Sequence, residues 1–239
     1  MRILISFILF FVSGKCLSQD KSAEIINPLN SYGLTYVHEA TIPGTNGESI
    51  NLSDISGSPY WNSNWQKAIL FCTHNSIYTV QKVKLNLYDN NVHYLNEQEK
   101  EMTVSNIVNK IAFYNESDSS APVAVFEKFS SLEGGENNVF YQNLNTGDAR
   151  LLKRNLVKLE KRRDAIMNKN IYSFSQHSKY YLYFNNSITA LDKIKKANIL
   201  SIIPPNDNIN NWLKDQKNDL KNEEQVVQFL NFYNEQPAR

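Results

Sequence analysis

The 239-residue chain carries 25 basic and 24 acidic residues, a net charge of +1, and is 41% hydrophobic and 12% aromatic. That apolar content excludes general disorder and fits a globular chain able to bury one sizeable core or two small ones. The balanced charge argues against nucleic acid as a partner, because such affinity rests on neutralising phosphates with a basic excess.

Residues 1–18 carry the parts of a secretory signal in order: a charged start at Met1-Arg2, an apolar run over 3–12, and small side chains toward Ser18. The run is shorter than the roughly 20 residues that a transmembrane helix needs, and no later stretch is apolar for that long. Cys16 and Ser18 place small residues at the third-last and last positions before a cut, so cleavage after Ser18 is expected. Loss of Arg2 and Lys15 then turns the net charge from +1 to −1. The competing reading is acylation of Cys16 after a cut before it, although Lys15 stands where lipoprotein signals want a small residue. The expectation is an exported protein, periplasmic or extracellular, soluble or peripheral to the outer membrane, with no transmembrane anchor after cleavage.

Once Cys16 leaves, Cys72 is the remaining cysteine and has no partner for an intramolecular disulfide. It ends the apolar run 68–72, which reads as a buried strand, so it is expected to act as a small core hydrophobe. The alternative is a reactive thiol assisted by His74, which in a strand would share its face.

Residues 19–56 are polar and interrupted by Asn27-Pro28, Pro43-Gly44 and Asn46-Gly47, an irregular lead-in with weak alternation over 34–40 and a candidate edge strand at 49–52. An antiparallel β-domain is expected over 57–190. Strands are predicted at 77–80 and 82–88, the latter with Val83, Leu85 and Leu87 on one side and Lys82, Lys84 and Asn86 on the other. Asp89-Asn90-Asn91 turns that strand into 92–95 as a hairpin. Further strands are predicted at 102–104, 110–114, 123–129 and 139–144, with Gly134-Gly135 separating the last two. The turn 145–148 leads into 149–159, where Leu151, Leu152, Leu156 and Leu159 fit a helix about as well as a strand; the turn and the aromatic strand before it favour a strand. Residues 171–174, 180–184 and 187–190 complete the run of hairpins.

After Leu191 the period becomes helical. Helices are predicted at 192–203, ended by Pro204-Pro205, at 209–217, capped by Asp207 or Asn208, and at 223–233, with the stripe Val226, Phe229, Leu230 and Tyr233. The expected class is mainly β with α+β character: a hairpin-rich antiparallel sheet, as a sandwich or partly open barrel, with the C-terminal helices of 191–239 packed on it.

Gly57-Ser58-Pro59-Tyr60, Lys84-Leu85-Asn86-Leu87-Tyr88 with its return at 92–95, Gly147 through Leu151-Leu152-Lys153-Arg154, and Leu220-Lys221-Asn222-Glu223-Glu224 running to Phe232-Tyr233-Asn234 form a recognisable set. Together they resemble a group of secreted Bacteroidota proteins of unknown function that share a G-S-P-Y-L-like opening, an R-Y-N-x-Y-like strand, a G-x-x-x-L-L-K-x-like segment and an L-K-x-E-x-D-like tail. The resemblance runs from about residue 57 to 234. It implies secretion and a shared architecture but no mechanism, because the shared features are structural. Trp61 after Pro59-Tyr60, and Lys84-Leu85 ahead of Asn86, depart from the pattern.

Tyr60, Trp61 and Trp65 are the candidate ligand contacts, since aromatics beside amides stack on sugars or apolar groups; the competing role is covering the end of a core. Lys153 and Arg154, with Lys158, Lys161, Arg162 and Arg163, form the candidate surface for anionic lipid or an acidic partner, or else a solvated strand diluted by Glu160 and Asp164. His38, His74, His93 and His177 match no compact metal spacing, and there is no G-x-S-x-G, S-x-x-K or glycine-rich phosphate loop. No catalytic residue, cofactor or metal is therefore assigned. The resulting expectation is a non-enzymatic envelope protein binding a partner protein or a hydrophobic or glycan ligand; the alternative is an extracytoplasmic hydrolase with residues scattered in sequence. Export is checked by intact mass of protein recovered from envelope and culture fluid: the expected species begins at Gln19, whereas one beginning at Met1 contradicts cleavage.

Overall fold

Alternation over Ala68–Cys72 and Val83–Leu85 buries every second side chain, and the turns between strands are asparagine-rich. A computed structural model describes residues 41–43, 49–104, 107–115, 117–129 and 138–236. The leader, the 34–40 stretch and Gly134-Gly135 lie outside the described residues. Six asparagines, Asn75, Asn90, Asn138, Asn168, Asn185 and Asn186, take positive φ at turns, a conformation their short polar side chains tolerate.

The strands are β1 (Thr41–Pro43), β2 (Ser49–Asn51), β3 (Ile55–Ser56), β4 (Gln66–Cys72), β5 (Ile77–Asn86), β6 (Asn91–Leu95), β7 (Glu101–Thr103), β8 (Val108–Tyr114), β9 (Ala124–Lys128), β10 (Phe140–Asn143), β11 (Arg150–Asp164), β12 (Lys169–Phe184) and β13 (Ser187–Leu191). Three helices follow: α1 (Lys196–Ile202), α2 (Asp207–Asp215) and α3 (Glu223–Glu235). The order across the sheet is β7-β6-β5-β4-β8-β9-β10-β11-β12-β13, antiparallel throughout, and β3 adds a parallel pairing on β12 to make eleven strands. β1 and β2 form a separate two-stranded ribbon. The described residues are thus mainly β, one large, mostly antiparallel open sheet followed by three C-terminal helices.

Val83 and Leu85 are buried with Ala68, Leu70, Val92, Tyr94, Met102, Ile111, Phe113 and Phe126, as the alternation predicts. Residues 149–159 belong to a strand. Their helical look comes from burial on both faces: Leu151 packs with Leu182 beneath the helices, while Leu152 packs on the opposite side with Phe129, Tyr141, Tyr181 and Ile188.

Several boundaries differ from the sequence reading. β5 joins the predicted 77–80 and 82–88 strands. β12 joins 171–174 to 180–184, because Ser175 through Lys179 stay in register with β11 although they are polar on both faces. α1 starts at Lys196 instead of 192. α2 is capped one residue earlier than expected, by Asn206, whose Oδ1 accepts from Ile209 N at 2.9 Å. The expected irregular lead-in contributes β3 to the sheet, and Ile50 and Ile55 pack with Val157, Tyr172 and Phe174.

The helices cover one face of β11–β13. Asn222 caps α3 through Gln225 N at 2.9 Å, and Glu223-Glu224 in the first turn suit the helix dipole. Val226, Phe229 and Leu230 are fully buried with Ile199, Ile209, Leu213 and Leu220. Near the far end of α3, Asn234 accepts from Ala149 N and donates to Thr146 O and Ala149 O, clamping the turn before β11. Gly147, at φ +109°, is required there because any Cβ would collide with the Asn234 amide. Phe229→Ala is expected to cost about 3–5 kcal/mol in urea unfolding, the range for an emptied aromatic core site. Truncation after Asn222 should lower the melting temperature further; an unchanged melt would detach α3 from the core.

Candidate functional site

The segment after β3 positions the site. Gly57 turns the chain at φ +87°, and Pro59 and Trp61 then pair with β5, through Leu87 N to Pro59 O at 2.8 Å and Trp61 N to Leu85 O at 3.0 Å. Tyr60 faces Asn86 across this bridge, so Tyr60 and Lys84 share a face and Trp61 turns to the other. Trp61 enters the core, 5.1 Å from the rings of both Phe113 and Phe126. Trp65 instead meets Lys84, whose Nζ lies 4.3 Å from the Trp65 ring centre and 4.9 Å from that of Tyr60. Of the three expected aromatic contacts, the structure therefore gathers Tyr60 and Trp65 around one ammonium and gives Trp61 to packing.

Three strands supply the remaining groups. His93 on β6 lies opposite Lys84 on β5, and β7 brings Glu101 alongside. Glu101 Oε1 accepts two short bonds, from the Tyr60 hydroxyl at 2.6 Å and from His93 Nδ1 at 2.7 Å. Asp89, in the β5–β6 turn, faces His93 Nε2 at 3.8 Å. His93 is only 4% exposed. Burial alone would lower its pKa, but bonding and attraction to Asp89 and Glu101 outweigh that and raise it to about 9, so the ring is a cation at neutral pH. Burial, then the Glu101 hydrogen bond, pushes the Tyr60 hydroxyl far above its ordinary value. Burial lowers Lys84, opposed by Glu101.

In front of this cluster lies a shallow cleft of about 420 Å³, lined by Ser53, Gly57, Ser58, Pro59, Tyr60, Ser63, Lys84 and Phe174. Gln176 of β12 ties the lining segment to the sheet by donating to the carbonyls of Ser58 and Tyr60. A larger hollow of about 550 Å³ lies between β12, β13 and the chain leading to α1, beside Tyr180, Leu191 and Ile194.

The basic candidates separate into two places. Lys153 ion-pairs with Glu223 at 2.8 Å, and the Tyr180 hydroxyl donates to the same carboxylate, so Lys153 serves the docking of α3. Arg154 is partly buried beside Tyr181. Lys161, Arg162 and Arg163 are exposed at the far end of β11, roughly 25–35 Å from Lys153 and Arg154 at about 3.4 Å per strand residue.

Cys72 is buried, and burial raises its thiol pKa, which disfavours the thiolate. The alternative of a strand face shared with His74 does not form, because the chain leaves the strand after Cys72 and turns through a single 3-10 turn over Thr73–Asn75. Ser175 Oγ lies 3.1 Å from His177 Nε2 and donates to Glu160 at 2.6 Å. The carboxylate is thus bonded to the serine, whereas an activated serine needs it on the far nitrogen of the histidine. Among the described residues no three His, Cys, Asp or Glu side chains gather to hold a metal ion, and no helix is long and apolar enough to cross a membrane.

Sequence reasoning passed over Lys84, Asp89 and Glu101 as site residues and weighed His93 only for a metal site. Their signal is the register: a 82–88/92–95 hairpin sets Lys84 against His93, and two opposed cations call for nearby anions.

No family model, curated protein or solved structure matches the chain.

The charged cluster gives stability a specific pH dependence. An unfolded histidine titrates at 6.5 and the folded one at about 9, so stability from the His93 cation is complete below 6.5 and lost as pH rises through 9, on the order of 3 kcal/mol in all. Asp89 and Glu101 are held below their ordinary values, so their share is present above the usual carboxylate range and lost as pH falls through the depressed values. Urea midpoints measured from pH 5 to 10 should decline on the alkaline side, and His93→Gln should flatten that decline. An identical alkaline slope in the variant would remove His93 from the account.

Proposed function

We propose that this chain is an exported, non-enzymatic envelope protein that binds a glycan in the cleft at Tyr60, with acidic sugars as the preferred class. The observation that carries the reading is the Lys84 ammonium, held across the Tyr60 and Trp65 rings at the lip of a cleft with three serines in its wall. A sugar hydroxyl finds donors and acceptors in Ser53, Ser58 and Ser63, its apolar face finds Tyr60 and Phe174, and a sugar carboxylate finds Lys84.

The groups behind the cleft support binding over turnover. A general acid or base needs a reachable proton and a pKa near the working pH. His93 is buried as a cation, and the Tyr60 proton is committed to Glu101. The resemblance to secreted Bacteroidota proteins and the signal-like residues 1–18 support the envelope location. The hydrolase alternative would need a group in the cleft with a proton free to transfer.

Titration calorimetry with a uronic-acid oligosaccharide and its neutral counterpart tests this. Saturable binding is expected for the acidic sugar, with about a tenfold or greater loss in Lys84→Met, the usual effect of removing a charge-assisted contact. Equal affinity in the variant, or no saturable binding of either sugar, contradicts the proposal. Release of shortened fragments would replace it with the hydrolase reading.

A further inference from the structure

We infer that the tip of the β11–β12 hairpin docks on an anionic lipid surface. This inference is independent of the cleft. The two strands pair without a break from Arg150↔Tyr183 to Asp164↔Lys169. β3 supports β12 only at Tyr172 and Ser173, so the last residues of the hairpin project roughly 10 Å past that support. Exposure is continuous over Glu160–Arg163 and again over 165–170.

The tip is a built turn. Asp164 Oδ1 accepts from Ile166 N at 2.8 Å and Met167 N at 2.9 Å, and Asn168 takes φ +50° while accepting from Arg163 Nη2 at 2.6 Å. These bonds hold two adjacent apolar side chains outward, with Ile166 97% exposed and Met167 56% exposed. A lone exposed apolar residue is ordinary. What is not ordinary is their place at the apex, with Lys161, Arg162, Arg163 and Lys169 directly behind them. The acids of this region are engaged locally: Asp164 holds the turn, and Glu160 accepts from Ser175.

Charge complementarity and size select the occupant. Two side chains fall far short of the roughly 800 Å² that each partner contributes to a stable protein interface. A bilayer asks for no such area. Cations at the headgroup level attract anionic lipid while a few apolar side chains enter the outer 5–10 Å, a depth that matches the projecting tip.

The test uses the chain in the form recovered from the exporting cell, so that wild type and variants differ only at the tip. Flotation with phosphatidylglycerol–phosphatidylcholine vesicles is expected to carry wild type, with little association to phosphatidylcholine alone and release in high salt. Ile166→Ser with Met167→Ser should weaken association about tenfold, and Arg162→Gln with Lys169→Gln by a similar or larger factor, at about fivefold per cation. Both pairs are exposed, and an unchanged melting temperature will show that the fold is intact. Equal binding to neutral vesicles, no binding to either, or binding untouched by both double variants overturns the inference. Loss of an acidic protein partner on mutation, with vesicle binding absent in wild type, overturns it in favour of a protein interface.

Discussion

Gly57 is where the lead-in, the hairpin arm and the central sheet are forced together. A Cβ at this position would lie 2.9 Å from the Phe174 carbonyl oxygen, and its φ of +87° is one that other residues resist. The close approach lets β3 lie on β12 and, within a few residues, lets Pro59 and Trp61 pair with β5. Strand alternation then sends Tyr60 to the cleft and Trp61 to the core. The cleft exists because two distant strands are spanned by one short segment.

The opposite end of the molecule uses the same device. Gly147 yields space to Asn234, and the asparagine amide binds the turn before β11 in return. Between α2 and α3, Leu220 adopts φ +51°, which costs about 1–2 kcal/mol for a residue with a Cβ. Full burial of a leucine contributes about 1.5–3 kcal/mol, and Asn218 steadies the link by accepting from Leu220 N and donating to Gln225 O. Packing therefore outweighs local strain, and the helices become part of the sheet's core.

Much of this architecture was legible in the residues. Val83 and Leu85 against Lys82 and Lys84 announced a half-buried strand, and the stripe Val226, Phe229, Leu230 announced a docked helix. The lost boundaries have physical causes. Ser175 through Lys179 carry no alternation because their own side chains are polar and mostly exposed, yet pairing with β11 continues β12 through them. Leu151-Leu152 mimicked a helix because each faces its own core. At the site, Tyr60 and Trp65 stood out as aromatics, but Lys84, Asp89, His93 and Glu101 are ordinary surface types until three strands set them side by side. Their meaning lies in register, which a linear pattern conveys only weakly.

The connectivity also orders how the chain must assemble. Neighbours such as β5 and β6, β11 and β12, and β12 and β13 are successive in the chain and close short loops, whereas Ile55 meets Tyr172 only across more than a hundred residues. Short closures lose less chain entropy and form early; the distant one has just two register pairs to hold it. A meander can thus form while the span from Ile55 to Trp61 is still undocked, and docking then adds Ile55 and Trp61 to cores that the strands have already begun. The sheet does not require the cleft, but the cleft requires the sheet.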